Sequence, residues 1–130
     1  MKEKAGKREI GAAGEEVAAQ YLVRRGFAII GRNYRKPWGE IDIIAEKAGT
    51  VRLVEVKAVS CENLADISRE ISDYRPEERV HPAKLKKIAR TAELYMNEKG
   101  DDRDYQIDVV GVFLEMKTRR ARCRLFEQVL

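Results

Sequence analysis

Two neighbouring stretches decide the fold, GEIDIIAE (Gly39 to Glu46) and TVRLVEVKAV (Thr50 to Val59). Both are rich in β-branched residues, and Ala48-Gly49 between them is a turn signal, so together they predict a β-hairpin. Side chains on a strand alternate between its two faces. Glu55 and Lys57 are therefore expected on one face of the second strand.

The same alternation predicts which residues of the first strand meet them. Asp42 is expected on one face of that strand, with Ile41 and Ile43 on the other. Pairing of the two strands would bring Asp42, Glu55 and Lys57 to one spot. Two carboxylates beside an ammonium would make a poor core, but they would suit a divalent metal.

This set of side chains matches the needs of phosphodiester hydrolysis. A divalent metal activates the attacking water and neutralises charge on the phosphate. Magnesium prefers oxygen ligands and keeps several waters, so one or two carboxylates suffice. Asp42 and Glu55 are the predicted ligands, the Val56 carbonyl is a third, and Lys57 would orient the water or stabilise developing charge. The alternative is a surface cluster in which Lys57 pairs with a carboxylate and contributes little.

Composition sets the limits for these hypotheses. The 130 residues favour a single domain over 1–130, and the 44% hydrophobic content is that of a globular protein. With 26 Lys and Arg against 22 Asp and Glu, the net charge of +4 permits a polyanionic partner without requiring one. Two cysteines suit a reducing compartment, and no apolar run reaches membrane-spanning length. The cytoplasm is the expected location, with no membrane partner.

The periodicity along the chain predicts an α/β protein with a mixed sheet flanked by helices. The predicted elements are a helix over 10–25, strands over 27–35, 39–46 and 50–59, a helix from Pro82 to Gly100, a strand over 105–116 and a fifth strand over 124–130. The order is αβββαβ, with a core over about 7–116 and a basic strand or tail over 117–130. Residues 60–80 are expected to form a long polar loop, with a short helix near 64–71.

Basic residues are grouped where a nucleic acid could lie. The residues predicted to contact a phosphate backbone are Arg32, Arg35, Lys36, Lys84, Lys87 and Arg90. The alternative is an ordinary solvated face. Tyr34 and Trp38 lie among these cations and could stack on bases. For Trp38 we favour packing against the sheet edge.

Three further residues have two interpretations each. Glu15, with Glu16 beside it, either belongs to a site near Gly14 or stabilises the positive end of the first helix. His81 would be a general base or a helix cap. Asp108 is expected to be a buried structural partner for an arginine or an amide rather than a catalytic group.

The ordered motifs resemble those of a known family. They are Gly11-x-x-Gly14-Glu15-x-x-Ala18-x-x-Tyr21-Leu22, Gly26, Asn33-x-Arg35, Gly39-Glu40-Ile41-Asp42, Val54-Glu55-Val56-Lys57, Lys84 with Ala92-x-x-Tyr95, and Asp108-Val109-Val110. From about Lys7 to Phe113 the chain resembles the YraN family, small bacterial proteins related to the PD-(D/E)xK nuclease superfamily.

The resemblance implies a restriction-endonuclease-like core and a site similar to that of archaeal Holliday-junction resolvases. It implies Glu15, Asp42 and Glu55 as metal ligands, Lys57 as the catalytic lysine, and Mg²⁺ or Mn²⁺ as the cofactor. One departure concerns substrate choice. Ala58 and Val59 stand where the family typically has Thr and Arg, so an expected basic contact is missing.

Two hypotheses from different classes follow. The first is a metal-dependent nuclease acting on DNA, with branched or structured DNA as its substrate. The second is a nuclease-like fold kept as an inactive module that binds nucleic acid or a protein partner. A homodimer would supply two sites for paired cuts on a duplex.

Overall fold

The computed structural model describes residues 6–62 and 82–130, and its elements follow one another in the predicted order. They are α1 (Lys7–Arg24), β1 (Ala28–Lys36), β2 (Gly39–Lys47), β3 (Thr50–Ser60), α2 (Pro82–Lys99), β4 (Tyr105–Glu115) and β5 (Arg120–Phe126). The predicted helix near 64–71, most of the 60–80 loop and His81 lie outside the described residues. Among the described residues, neither helix contains an apolar stretch of the length that a membrane span requires.

The five strands form one mixed sheet in the order β1-β2-β3-β4-β5. Strands β3 and β4 are parallel, and the other neighbours are antiparallel. A parallel pair needs a crossover connection, and α2 lies within it. This architecture confirms the predicted α/β class and is consistent with a restriction-endonuclease-like core.

Each face of the sheet is covered by one helix. On one face Leu22 of α1 packs with Val54 and Val110 of the sheet. On the other face Ile88 of α2 packs in a second cluster, which includes Leu53. Each large apolar side chain buried in this way contributes about 1.5–3 kcal/mol to stability. The two layers hold α1 and α2 on opposite sides of β3.

Close packing at Gly14 sets the distance between α1 and β3. A Cβ atom at this position would collide with Cβ of Ala58 and approach Cγ1 of Val56. Gly14 therefore lets the helix lie directly on the strand. The next residue, Glu15, is carried to the sheet by this contact.

The alternation predicted for β2 is wrong at Asp42. Ile41 packs in the α2 cluster, whereas Ile43 packs in the α1 cluster, so the two side chains lie on opposite faces. The opposing residue of β1, Asn33, has a left-handed φ of 53° and interrupts the regular pairing there. The regular β2–β3 pairs also end at Ile43 and Val54. The sheet is thus irregular at Asp42.

Two predicted boundaries also change. The fifth strand begins at Arg120, four residues before the predicted start at Arg124, because a tight turn with Arg119 at a φ of 58° reverses the chain. As an edge strand, β5 tolerates its many arginines.

Helix α1 begins at Lys7, so Glu15 lies in its interior. The alternative that Glu15 stabilises the first turn of the helix is therefore wrong.

Asp108 is a buried structural partner, as predicted. Its side chain is fully buried on β4. One carboxylate oxygen accepts a hydrogen bond of 3.1 Å from Arg52. The other accepts hydrogen bonds of 2.8 Å from the Gln106 amide and from the backbone N–H of Gln128. These bonds satisfy the carboxylate and tie the C-terminal segment to the sheet.

Candidate metal and nucleic-acid site

The site lies where β2 and β3 stop pairing. The last regular pair joins Ile43 to Val54, and Asp42 lies one residue before Ile43 on β2. Its carboxylate accepts a hydrogen bond of 2.8 Å from the backbone N–H of Val56. This bond takes the place of a strand–strand bond and fixes the Asp42 side chain between the strands. The neighbouring Glu55 and Lys57 extend from β3 on the α2 side, as the alternation along that strand requires.

A cleft of about 610 Å³ opens at this point, and we call it the carboxylate cleft. Its lining includes the four residues predicted to carry the chemistry, Glu15, Asp42, Glu55 and Lys57. Glu40 and Lys84 also line it. Side chains far apart in the sequence thus face one space, and their roles remain predictions.

The carboxyl of Glu15 reaches Asp42 from α1. Burial raises the pKa of Glu15, and the charge of Asp42 and a hydrogen bond to Asp42 raise it further. Arg35 and Arg32 partly oppose this by favouring the charged carboxylate. A hydrogen bond between two carboxyls requires a shared proton. The contact shows that α1 and β2 bring two acidic groups together.

Glu55 is the most buried carboxyl of the cleft. Its side chain is only 9% exposed, and burial, followed by the charge of Asp42, raises its pKa to about 7. Lys84 opposes the rise through a hydrogen bond and its charge. A carboxyl with such a pKa is half protonated at neutral pH, as is common at functional sites.

Lys84 is the cation that pairs with Glu55 of this cluster. It lies in the first turn of α2, and its Nζ is 2.6 Å from Oε1 of Glu55. Burial lowers the pKa of Lys84, but the hydrogen bond and charge of Glu55, with Asp42 and Glu40, outweigh burial and raise it. The sequence predicted Lys84 as a backbone-phosphate contact and gave no sign of this ion pair, because no local pattern links α2 to β3.

Lys57 differs from Lys84 in its surroundings. Its side chain is exposed at the cleft, and it forms no ion pair within 4 Å of any residue in 6–62 or 82–130. The alternative, in which Lys57 pairs with a carboxylate at the surface, is therefore not observed among the described residues. Within the described ranges, the ammonium is therefore exposed at the cleft with no ion-pair partner.

The donor atoms of the cleft fit a hard divalent cation. The carboxyls of Glu15 and Glu55 converge on that of Asp42, and the donor atoms of all three are oxygens, which Mg²⁺ and Mn²⁺ prefer. Among the described side chains, no three His, Cys, Asp or Glu residues are already arranged as a complete metal centre. Magnesium requires only one or two carboxylates, so the set suffices. The Val56 carbonyl stays a predicted ligand.

The predicted nucleic-acid contacts divide into two groups. Arg32 pairs with Glu16 of α1 at 2.9 Å, Arg35 lies 3.7 Å from Glu40, and Lys36 lies 3.7 Å from Glu98. Lys87 and Arg90 lie on α2 beside the β1–β2 turn, with Lys86. Arg32 is held on the α1 side, away from the α2 cations, so the six residues do not form one continuous track.

The two aromatic residues of this region differ. Tyr34 packs edge-on against Tyr95, with ring centroids 5.1 Å apart, and its hydroxyl donates a 2.7 Å hydrogen bond to Glu98. Trp38, in contrast, is 42% exposed. The predicted packing of Trp38 against the sheet edge therefore leaves much of the side chain in solvent, and Trp38 lines a groove together with Lys86, Lys87 and Arg90 of α2.

Comparison with known proteins agrees with the motifs. A model of the uncharacterised protein family UPF0102 matches residues 14–112. A UPF0102 protein of Campylobacter fetus is 40% identical over 102 residues, covering 78% of this chain and 81% of its own. A UPF0102 protein of Caldicellulosiruptor saccharolyticus is 35% identical over 112 residues, covering 85% and 87%. A third, from Chlorobium phaeobacteroides, is 38% identical over 106 residues, covering 81% and 76%.

Proposed function

The chain belongs to the UPF0102 (YraN) family, and from this premise we propose that it is a magnesium- or manganese-dependent nuclease that hydrolyses phosphodiester bonds in DNA. One observation supports the proposal above the others. Carboxyls from α1, β2 and β3 meet at Asp42, beside a lysine that has no partner among the described residues. Branched or structured DNA is the proposed substrate class.

Each side chain has a defined task in this proposal. Asp42 and Glu55 hold the metal, and Glu15 completes the acidic set from the opposite side of the sheet. When bound, the metal supplies an activated water and neutralises charge at the phosphate. Asp42 is held in position by the Val56 N–H even without the metal. This arrangement spares the cost of ordering the ligand when the metal arrives.

Lys57 acts on the substrate side of the cleft. Its exposed ammonium would contact the scissile phosphate or the attacking water, and its charge would stabilise the charge that develops during the reaction. The nearby positive charge of Lys84 adds to the attraction of the cleft for a phosphate. A homodimer would place two such clefts on one duplex.

The Lys84–Glu55 ion pair favours a second candidate, an inactive module that binds nucleic acid. The ammonium of Lys84 lies 2.6 Å from Glu55 and already neutralises part of the charge of the acidic cluster. If this cation were permanent, the cluster would need no metal. Such a module would bind DNA in a salt-dependent manner that is independent of divalent ions.

One substitution separates the two candidates. Asp42→Asn keeps an oxygen that can accept the Val56 N–H bond but removes the charge that would hold a cation. For the nuclease we expect metal-dependent cleavage of a panel of single-stranded, duplex and branched DNA to fall at least about hundredfold in Asp42→Asn. Calorimetry should show the loss of Mg²⁺ and Mn²⁺ binding, while the unfolding midpoint is retained.

Equal cleavage by the purified variant and the wild type would contradict the proposal. Salt-sensitive DNA binding without metal binding in the wild type would instead support the inactive module. The matched control is Asp102→Asn, an exposed aspartate in the α2–β4 connection that lines none of the clefts described. It should leave both metal binding and cleavage unchanged.

A further inference from the structure

The β1–β2 turn presents the only tryptophan of the chain to solvent. Lys36 pairs with Gly39, so Pro37 and Trp38 form a two-residue turn. Gly39 is buried against α2, where an added Cβ would collide with the hydroxyl of Thr91. This close contact fixes the turn on the helix while the Trp38 indole stays 42% exposed. The exposed ring is therefore held by packing at the base of the turn.

Cations surround this ring. A groove of about 500 Å³, here called the turn groove, is lined by Pro37, Trp38, Lys86, Lys87 and Arg90. No acidic side chain of residues 6–62 or 82–130 lines it. In the part of the chain that the structure describes, none of the three cations has an ion-pair partner within 4 Å. Uncompensated positive charge of this kind attracts a polyanion.

The turn groove and the carboxylate cleft each share lining residues with a third groove. A groove of about 460 Å³ lies between them, here called the linking groove. It shares Pro37 and Lys87 with the turn groove, and Glu55 and Lys84 with the carboxylate cleft. One extended ligand can therefore contact the cations of α2 and the acidic site at once.

We propose that Trp38 is a stacking platform for an unpaired nucleobase, and that the substrate is DNA with a single-stranded segment running through the linking groove. The inference rests on the proposed nuclease function and narrows its substrate class. A nucleotide supplies a negative phosphate for the cations and a flat ring for the indole. In a continuous duplex the bases are stacked on one another, so only an unpaired base offers its face to a side chain.

The fluorescence of Trp38 tests this directly, because no other tryptophan contributes to the signal. The full chain in EDTA is titrated with a single-stranded oligothymidine and with a blunt DNA hairpin of the same number of nucleotides. We expect the oligothymidine to quench the emission and the hairpin to leave it nearly unchanged. Trp38→Ala should weaken oligothymidine binding roughly 5- to 100-fold, and Trp38→Phe should weaken it less.

Two controls separate stacking from charge. Tyr105 is 41% exposed, similar to Trp38, but lines none of the three grooves, so Tyr105→Ala should bind oligothymidine like the wild type. Arg90→Ala should weaken the binding of both DNAs and reduce its salt dependence, since this residue would contact phosphate. Binding in the tryptophan variant is followed by anisotropy of a labelled oligonucleotide.

Four results would overturn the inference. They are oligothymidine affinity unchanged in Trp38→Ala, binding without quenching in the wild type, equal quenching by an oligoglutamate peptide, and absence of binding to either DNA at low salt. Because the readout in EDTA needs no cleavage, quenching without nuclease activity would reject the proposed reaction alone. Metal-dependent cleavage without quenching would reject the stacking role alone.

Discussion

The carboxylate of Asp42 accepts a 2.8 Å hydrogen bond from the backbone N–H of Val56, just beyond the last regular pair of β2 and β3. A side chain here replaces the main-chain carbonyl that a continuous ladder would supply. The irregularity opens space between the strands, and Glu15 and Glu55 approach Asp42 there from α1 and β3. The acidic site is thus built on a local defect of the sheet.

Stability should fall as pH rises from about 4.5 to about 7. Burial and the charge of Asp42 raise the pKa of Glu55 from 4.5 to about 7. Between these values the folded protein holds a proton that the unfolded chain has released, so the free energy of unfolding decreases as pH rises. The decrease from Glu55 is at most about 3 kcal/mol and ends above pH 7. Urea unfolding at a series of pH values measures it.

Glu55→Gln is the control for this pH dependence, because the amide does not titrate. The variant should have a flatter profile between pH 4.5 and 7, and saturating Mg²⁺ should flatten the wild-type profile at its upper end by favouring the carboxylate. Parallel profiles for the variant and the wild type would show that Glu55 keeps an ordinary pKa.

Removal of the Lys84 ammonium should strengthen metal binding. In Lys84→Met the cation no longer competes for Glu55, so calorimetry should show a higher affinity for Mg²⁺. The metal-free variant should lose about 1 kcal/mol of stability at pH 8, since Lys84 is half-exposed and its pair is partly screened. Lys117→Met, at an exposed turn, is the control. A weaker Mg²⁺ affinity in Lys84→Met would mean that Lys84 helps to form the metal site.

Gly14→Ala should destabilise the fold, while Gly11→Ala should not. The new methyl group at Gly14 would collide with Ala58, and overpacking of this kind costs about 1–3 kcal/mol. A Cβ at Gly11 meets no atom within 4 Å, so alanine there should stabilise the helix by up to about 1 kcal/mol. Urea midpoints compare the two variants. Equal midpoints would show that α1 can move away from β3 without cost.

Asp108→Ala should cost about 3–5 kcal/mol, because it leaves the Arg52 guanidinium buried with one partner fewer. Glu127→Ala removes the other partner of the same arginine, but that carboxylate is exposed, so the cost should be below about 1 kcal/mol. Thermal unfolding measures both variants. If both variants lose the same free energy of unfolding, burial does not make the Arg52–Asp108 ion pair more stabilising than the Arg52–Glu127 ion pair.

The element order and the shared face of Glu55 and Lys57 could be predicted from the sequence. Apolar residues with a period of two identify β2 and β3, and this period places Glu55 and Lys57 on one face. Glu15 required the resemblance to a family, because nothing local separates it from an ordinary helix glutamate such as Glu16. The structure supplies the reason, since packing at Gly14 brings that turn of the helix to β3.

The errors lie where tertiary contacts override local pattern. Ile41 and Ile43 face opposite sides of the sheet beside Asn33 of the neighbouring strand, whose φ is left-handed. The Lys84–Glu55 pair depends on where α2 meets the sheet. None of these contacts could be predicted from the residues that are adjacent in sequence.

The parallel pairing of β3 with β4 has a consequence for the order of folding. Strands β1, β2 and β3 are joined by short turns, so their pairing closes small loops. The pairing of Val51 with Tyr105 must instead enclose the whole α2 crossover. Because long loops close more slowly, we expect the hairpin with Asp42 and Glu55 to form first. The Arg52–Asp108 ion pair, which joins β3 to β4, then forms after the hairpin that already carries Asp42 and Glu55.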